Sequence, residues 1–154
     1  MEDGFKLEQV AIRLVPEVAV WDAEPIRSPE RAVEVIGKYI RDMDREAVCV
    51  VNFNARLQPI NFQIVSIGTL DRALCEPREL LKAGILSNAS SMMILHNHPA
   101  GSIAPSGCDI QMTERMEKVC ELVGIPLMDS IIVGFGREDY FSFRDASMLV
   151  EQNQ

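Results

Sequence analysis

Histidine is scarce in this chain, with two in 154 residues, beside one Trp and two Tyr. Any arrangement that needs three imidazoles, such as two metal ligands plus a histidine base, is thereby excluded. Cysteine offers no alternative. Cys49, Cys75, Cys108 and Cys120 are scattered, with no C-x-x-C pair. Four separated thiols suit a reduced, cytoplasmic protein with two or three of them buried. No apolar run approaches the ~20 residues that span a bilayer. The stretch Met1 to Lys6 is polar and acidic and leads into no signal-peptide core. Positive charge is also in deficit. Fifteen basic against 23 acidic side chains give a net charge of −8, which disfavours non-specific nucleic-acid binding, since that relies on Lys and Arg neutralising phosphates.

What remains is an ordinary globular composition, 47% hydrophobic and 25% charged. At this length one domain buries roughly 70% of the surface its unfolded chain exposes. In Lys6 to Val15, Val10, Ile12 and Leu14 alternate with polar or small residues, the period of a strand. Pro16 ends that pattern, and residues up to 27, including Trp21 and Pro25, read as an extended arm able to pair with a neighbouring sheet edge and make a homodimer. Ser28-Pro29-Glu30 opens a helix over about 29–42, because Ser caps free amides and Pro suits the first helical turn. Residues 46–51 and 60–67 read as a strand pair, and Pro77 starts a helix over about 77–88 with Leu80, Leu81, Gly84 and Ile85 inward. Ser91 to Leu95 is a buried strand that ends at His96. Ser106 opens a third helix with Met112, Met116, Val119, Cys120 and Val123 as its apolar stripe, closed by Gly124 and Pro126. Strands at 130–133 and 140–143 complete the pattern, and a polar tail occupies 147–154. The expected fold class is α/β, a single mixed β-sheet sandwiched by helices.

The chemistry concentrates in His96-Asn-His-Pro-Ala-Gly-Ser-Ile-Ala-Pro-Ser-Gly-Cys-Asp109. In extended backbone, residues i and i+2 point to one side, so His96 and His98 can present both imidazoles to one point. Pro99 and Gly101 turn the chain into a loop, and Asp109 falls in the first turn of the helix that follows. Two His and a carboxylate make a three-ligand zinc set with an open fourth position, although ligand type alone also admits manganese or iron. A plainer account exists for part of this. Ser106-x-x-Asp109 fits a helix capping box, and a carboxylate pointing back to its own cap is poorly placed to hold a metal.

The fixed positions His96, His98, Pro99, Gly101, Pro105, Ser106 and Asp109 match H-x-H-P-x-G-x-x-x-P-S-x-x-D, and the segment resembles the JAMM (MPN+ or JAB) metalloprotease domain. Asp44-Arg-Glu46, Ser66-Ile-Gly-Thr-Leu70, Pro77-Arg-Glu79, His96-Asn-His-Pro99 and Tyr140-Phe-Ser-Phe-Arg144 extend the resemblance to the RadC family, historically labelled DNA repair proteins, over residues 28–146. Ala100 departs from the Ser usual there. Members often carry an N-terminal helix-hairpin-helix module, for which this chain leaves no room.

The resemblance implies a JAB/MPN (cytidine deaminase-like) architecture and a zinc hydrolase acting on a peptide or isopeptide bond of an unknown peptide or protein substrate. Zn2+ would be held by His96, His98 and Asp109. Glu46, at the matching position before the first buried strand, would be the general base, and Ser106 would donate a hydrogen bond to the oxyanion. Asn97, between the ligands, points to the opposite sheet face as a structural residue. Ser66 and Thr69 could border the cleft. Two other functions are compatible with the same loop, namely a RadC-like DNA-associated protein or nuclease and a non-catalytic interaction module. A zinc nucleoside deaminase is excluded by the absence of the H-x-E and P-C-x-x-C pattern.

Overall fold

The computed structural model describes residues 6–150 except 18, 21, 23, 69–74 and 136–138. Trp21, Thr69 and Leu70, as well as the end of the tail, lie outside the described residues. The order along the chain is α1 (Pro29–Val35), β1 (Ala47–Phe53), β2 (Pro59–Ile67), α2 (Pro77–Leu86), β3 (Ser91–Asn97), α3 (Gly107–Val123), β4 (Leu127–Val133) and β5 (Tyr140–Ser142). One mixed five-stranded sheet runs in the order β2-β1-β3-β4-β5. β1 lies antiparallel to both β2 and β3, β3 lies parallel to β4, and β5 returns antiparallel to β4. This is the expected α/β class with a single mixed sheet between helices.

Strand parity decides which face each side chain takes. On one face, Val33, Ile36 and Ile40 of the first helical region cover Cys49, Val51, Met93, Leu95, Ile131 and Val133. On the other, Leu80 and Leu81 of α2, together with Met116 and Cys120 of α3, cover Val48, Val50, Met92, Ile94 and Leu127. β1 and β3 are therefore buried at every position, which explains their nearly continuous apolar sequences. β2 stands at the sheet edge and is half exposed.

Several boundaries differ from the sequence expectation. α1 stops at Val35 rather than near 42, and a 3-10 turn over Gly37–Tyr39 replaces its continuation. Gly37 is a poor helix residue and lies tight against Val133, where a Cβ would stand 3.2 Å from a valine methyl. Ser28 Oγ does cap the helix, accepting from the Arg31 amide at 3.3 Å. Ile85 and Val123 are exposed rather than inward, and Ala83 takes the inward place in α2. β4 begins three residues before the expected strand start. Residues 6–17 show no regular secondary structure, and Leu7, Val10, Ile12 and Val15 are exposed. The alternation there has no strand partner among the described residues. No helix among the described residues is long and apolar enough to cross a membrane.

Candidate metal centre

Four side chains converge where β3 leaves the sheet. Glu46, His96, His98 and Asp109 each offer a ligand atom, and these atoms all lie within 4.8 Å of one another. The topology produces the meeting. Val48 pairs with His96 in the antiparallel β1–β3 ladder, so the same register carried two residues on sets Glu46 beside His98. Parity places Glu46, Val48, His96 and His98 on the face that α3 covers, and the first turn of α3 brings in Asp109.

His96 is almost completely buried, with 1% of its surface exposed. Among the described residues its Nδ1 has no hydrogen-bond partner, a costly condition for a buried polar atom, at about 1–3 kcal/mol. Its Nε2 stands 3.2 Å from Asp109 Oδ1. His98 Nε2 stands 3.2 Å from Asp109 Oδ2, while its Nδ1 lies 2.7 Å from the Ser102 carbonyl oxygen. A carbonyl can only accept, so Nδ1 carries a proton, and in the neutral ring Nε2 presents its lone pair to the centre. That second hydrogen bond is the usual way a protein orients a ligating imidazole. The buried Nε2 of His96, the oriented Nε2 of His98 and the divided oxygens of Asp109 together suit a divalent cation.

The electrostatics agree. Burial alone would raise the Asp109 pKa, but the adjacent His96 and His98 imidazoles and the Ser106 amide outweigh it and hold the carboxyl far below the usual range. Hydrogen bonding to Asp109 raises the His98 pKa, against the effect of its partial burial. Without a cation, this cluster is a proton site.

The model of the RadC-like JAB domain family matches residues 26–148. The chain belongs to the RadC-like JAB domain family. It is 30% identical over 138 residues to a UPF0758 protein of Streptococcus sanguinis, a match covering 90% of this chain and 60% of the relative. UPF0758 proteins of Desulforamulus reducens and Chlorobaculum parvum are each 37% identical to it, over 129 and 124 residues, covering 82% and 80% of this chain and 57% and 55% of those relatives. The chain thus spans little more than half the length of these relatives.

In this RadC-like domain Asp109 takes part in the capping box and also lies beside both imidazoles, two placements that the sequence expectation sets against one another. Ser106 Oγ accepts from the Asp109 amide at 3.1 Å, and Asp109 Oδ2 accepts from the Ser106 amide at 2.7 Å. A carboxylate has about four lone-pair sites, so Oδ2 can serve the cap and still face His98 while Oδ1 faces His96. Ser106 is exposed, and because its oxygen accepts in the cap, its O–H proton remains available. Glu76 and Glu79, at the start of α2, are not part of the four-residue group. Glu79 pairs with Lys82 at 2.8 Å, and Glu76 stands 3.4 Å from Arg115. Asn97 points to the α1 face as parity requires, yet its carboxamide bonds the chain around Glu46, a connection not visible in the sequence because it spans some fifty residues. Gly101 adopts φ 82° in the metal loop, and a Cβ there would overlap the Phe135 ring. The motif's glycine is therefore needed both for conformation and for space.

Proposed function

We propose that this domain is a zinc-dependent hydrolase of JAMM type that cleaves a peptide or isopeptide amide bond. The observation that carries this reading is the convergence of Glu46, His96, His98 and Asp109, whose ligand atoms lie within 4.8 Å of one another, with His96 buried and Asp109 shared between the two imidazoles. His96, His98 and Asp109 would hold the zinc. Bound there, zinc supplies Lewis acidity and lowers the pKa of water from 15.7 to about 7.

The chain's own residues supply the rest. Glu46 is half-buried at the entrance of β1, with its carboxylate inside the four-residue group. From there it takes the proton of the attacking water and returns it to the leaving amine, the two tasks a single positioned carboxylate performs in turn. No third histidine competes for that duty. The Ser106 hydroxyl directs its free O–H to the oxyanion, a contribution of about 3 kcal/mol to the transition state. Asp109 fixes both imidazoles from one side and the helix start from the other.

Elemental analysis of the purified protein tests the reading. About one zinc per chain is expected in wild type, and its loss in both His96→Ala and Asp109→Ala. Glu46→Gln should keep the metal and lose hydrolysis of a peptide and ε-linked isopeptide library. Wild-type protein that takes up no divalent metal overturns the proposal, and metal retention with no turnover of any amide favours an interaction module.

A further inference from the structure

Asn97 stands between the two histidines in sequence but faces away from them, buried at 1% exposure on the α1 side of the sheet. Its carboxamide makes three contacts, all to backbone. Oδ1 accepts from the Ala47 amide at 2.7 Å. Nδ2 faces the Arg45 carbonyl at 3.2 Å and the Met43 carbonyl at 3.4 Å. The Arg45 carbonyl belongs to the peptide unit before Glu46, and the Ala47 amide belongs to the unit after it. One side chain thus grips both peptide planes that flank the proposed base. The Glu46 carbonyl is held as well, accepting from the Gly68 amide at 2.7 Å.

We infer that Asn97 is the positioning residue for Glu46. This rests on the functional reading above. Two torsions, φ and ψ of Glu46, lie between the gripped planes, and they set where its Cβ points. Without that grip, residues 43–46, an irregular segment with bends at 44 and 45, would be tied down by the strand that follows and by the Gly68 amide on the Glu46 carbonyl. With it, the strand that carries the two imidazoles also dictates where the carboxylate sits. The residue type fits the task. Asn carries an acceptor and two donors on one short, planar terminus, whereas Asp lacks the donors and Ser lacks the reach.

A plainer role would be to satisfy backbone groups at the entrance of β1 with no bearing on the site. The two roles separate spectroscopically. Wild type, Asn97→Ala, Asn97→Asp, Glu46→Gln and the double variant Asn97→Ala/Glu46→Gln are loaded with cobalt(II) and their visible absorption bands compared at one pH. Cobalt reports changes in the groups around it whether Glu46 touches the ion or its water. The expected result is cobalt binding by Asn97→Ala within about threefold of wild type, since the histidines keep their own supports; a residue that oriented the ligands themselves would cost about 10–100-fold. The spectrum of Asn97→Ala should move as that of Glu46→Gln does, and the double variant should show no further change. Asn97→Asp, which keeps the Ala47 contact, should fall between and serves if the alanine variant does not fold.

Unchanged bands in both Asn97 variants, while Glu46→Gln shifts them, overturn the inference and leave Asn97 a structural residue. A 10–100-fold loss of cobalt affinity on changing Asn97 also overturns it, since the histidines would then be what Asn97 holds. Bands that do not respond to Glu46→Gln instead remove Glu46 from the site, and the inference falls with that reading.

Discussion

Ser106 and Asp109 cap one another, each receiving the other's backbone amide on a side-chain oxygen. The start of α3 and the carboxylate of the candidate metal set are therefore a single unit. Ser106→Ala removes one half of it. The expected cost is about 1 kcal/mol of stability, read as a lower urea midpoint, together with a fall in turnover at nearly unchanged zinc content. Ser106→Thr keeps the hydroxyl and should restore most of the stability. A Ser106→Ala protein as stable as wild type would show that the cap contributes nothing.

The pH dependence of the metal-free protein should differ in sign from that of the loaded one. The folded-state pKa of His98 is raised, chiefly by Asp109. Its contribution to metal-free stability is whole below the unfolded value of about 6.5 and is lost as pH rises through the folded value. The depressed pKa of Asp109 contributes stability above its unfolded value of about 3.9, so this term is constant near neutrality. A cation requires His98 neutral and so gains as pH rises. The gap in Tm between zinc-loaded and EDTA-treated protein should widen from about pH 5.5 to about pH 8. A gap that narrows over that range contradicts the proton–metal competition.

Gly84 of α2 approaches the sheet so closely that a Cβ would stand 2.8 Å from Asn52 Oδ1. Asn52 is fully buried, and its other carboxamide atom donates to Asn61 Oδ1 at 2.7 Å, so it cannot swing aside freely. Gly84→Ala should destabilise by about 1–3 kcal/mol, despite the better helix propensity of Ala. In an Asn52→Ala background the same change should cost less, a non-additivity measurable by chemical denaturation.

The thiols should react in two classes. Burial pushes Cys49 and Cys120 up to about 12, leaving almost no thiolate at neutral pH. Cys108 is exposed at the start of α3, and Cys75 is half-buried. A maleimide reagent on the folded protein should label Cys108 first, and label Cys49 and Cys120 only after denaturant is added. Mass spectrometry of the digested product assigns the sites.

Much of the fold was legible because β1 and β3 are buried on both faces and announce themselves as continuous apolar runs, while Ser28, Ser106 and Gly124 mark helix ends by local chemistry. The spacing of His96 and His98 displayed their common direction for the same local reason. What failed to show depends on contacts between distant segments. The close packing of Gly37 against Val133 joins residues far apart along the chain. The sharing of Asp109 between cap and imidazoles needs the position of two separate oxygens, which no sequence pattern states. The alternation in residues 6–15 has a strand's period but no strand beside it among the described residues, and period alone does not supply a partner.

The order of strands leaves the molecule with two unequal ends. Glu46, His96, His98 and Asp109 occupy one rim of the sheet, whereas the turn at Asn54–Gln58 closes β1 and β2 at the other, the full length of β1 away. That turn holds itself together, with Asn54 Oδ1 accepting from the Arg56 and Gln58 amides and Leu57 in left-handed backbone. It is the natural handle of the protein. A fluorophore, surface tether or inserted peptide placed there would leave the opposite rim open to whatever the four side chains meet.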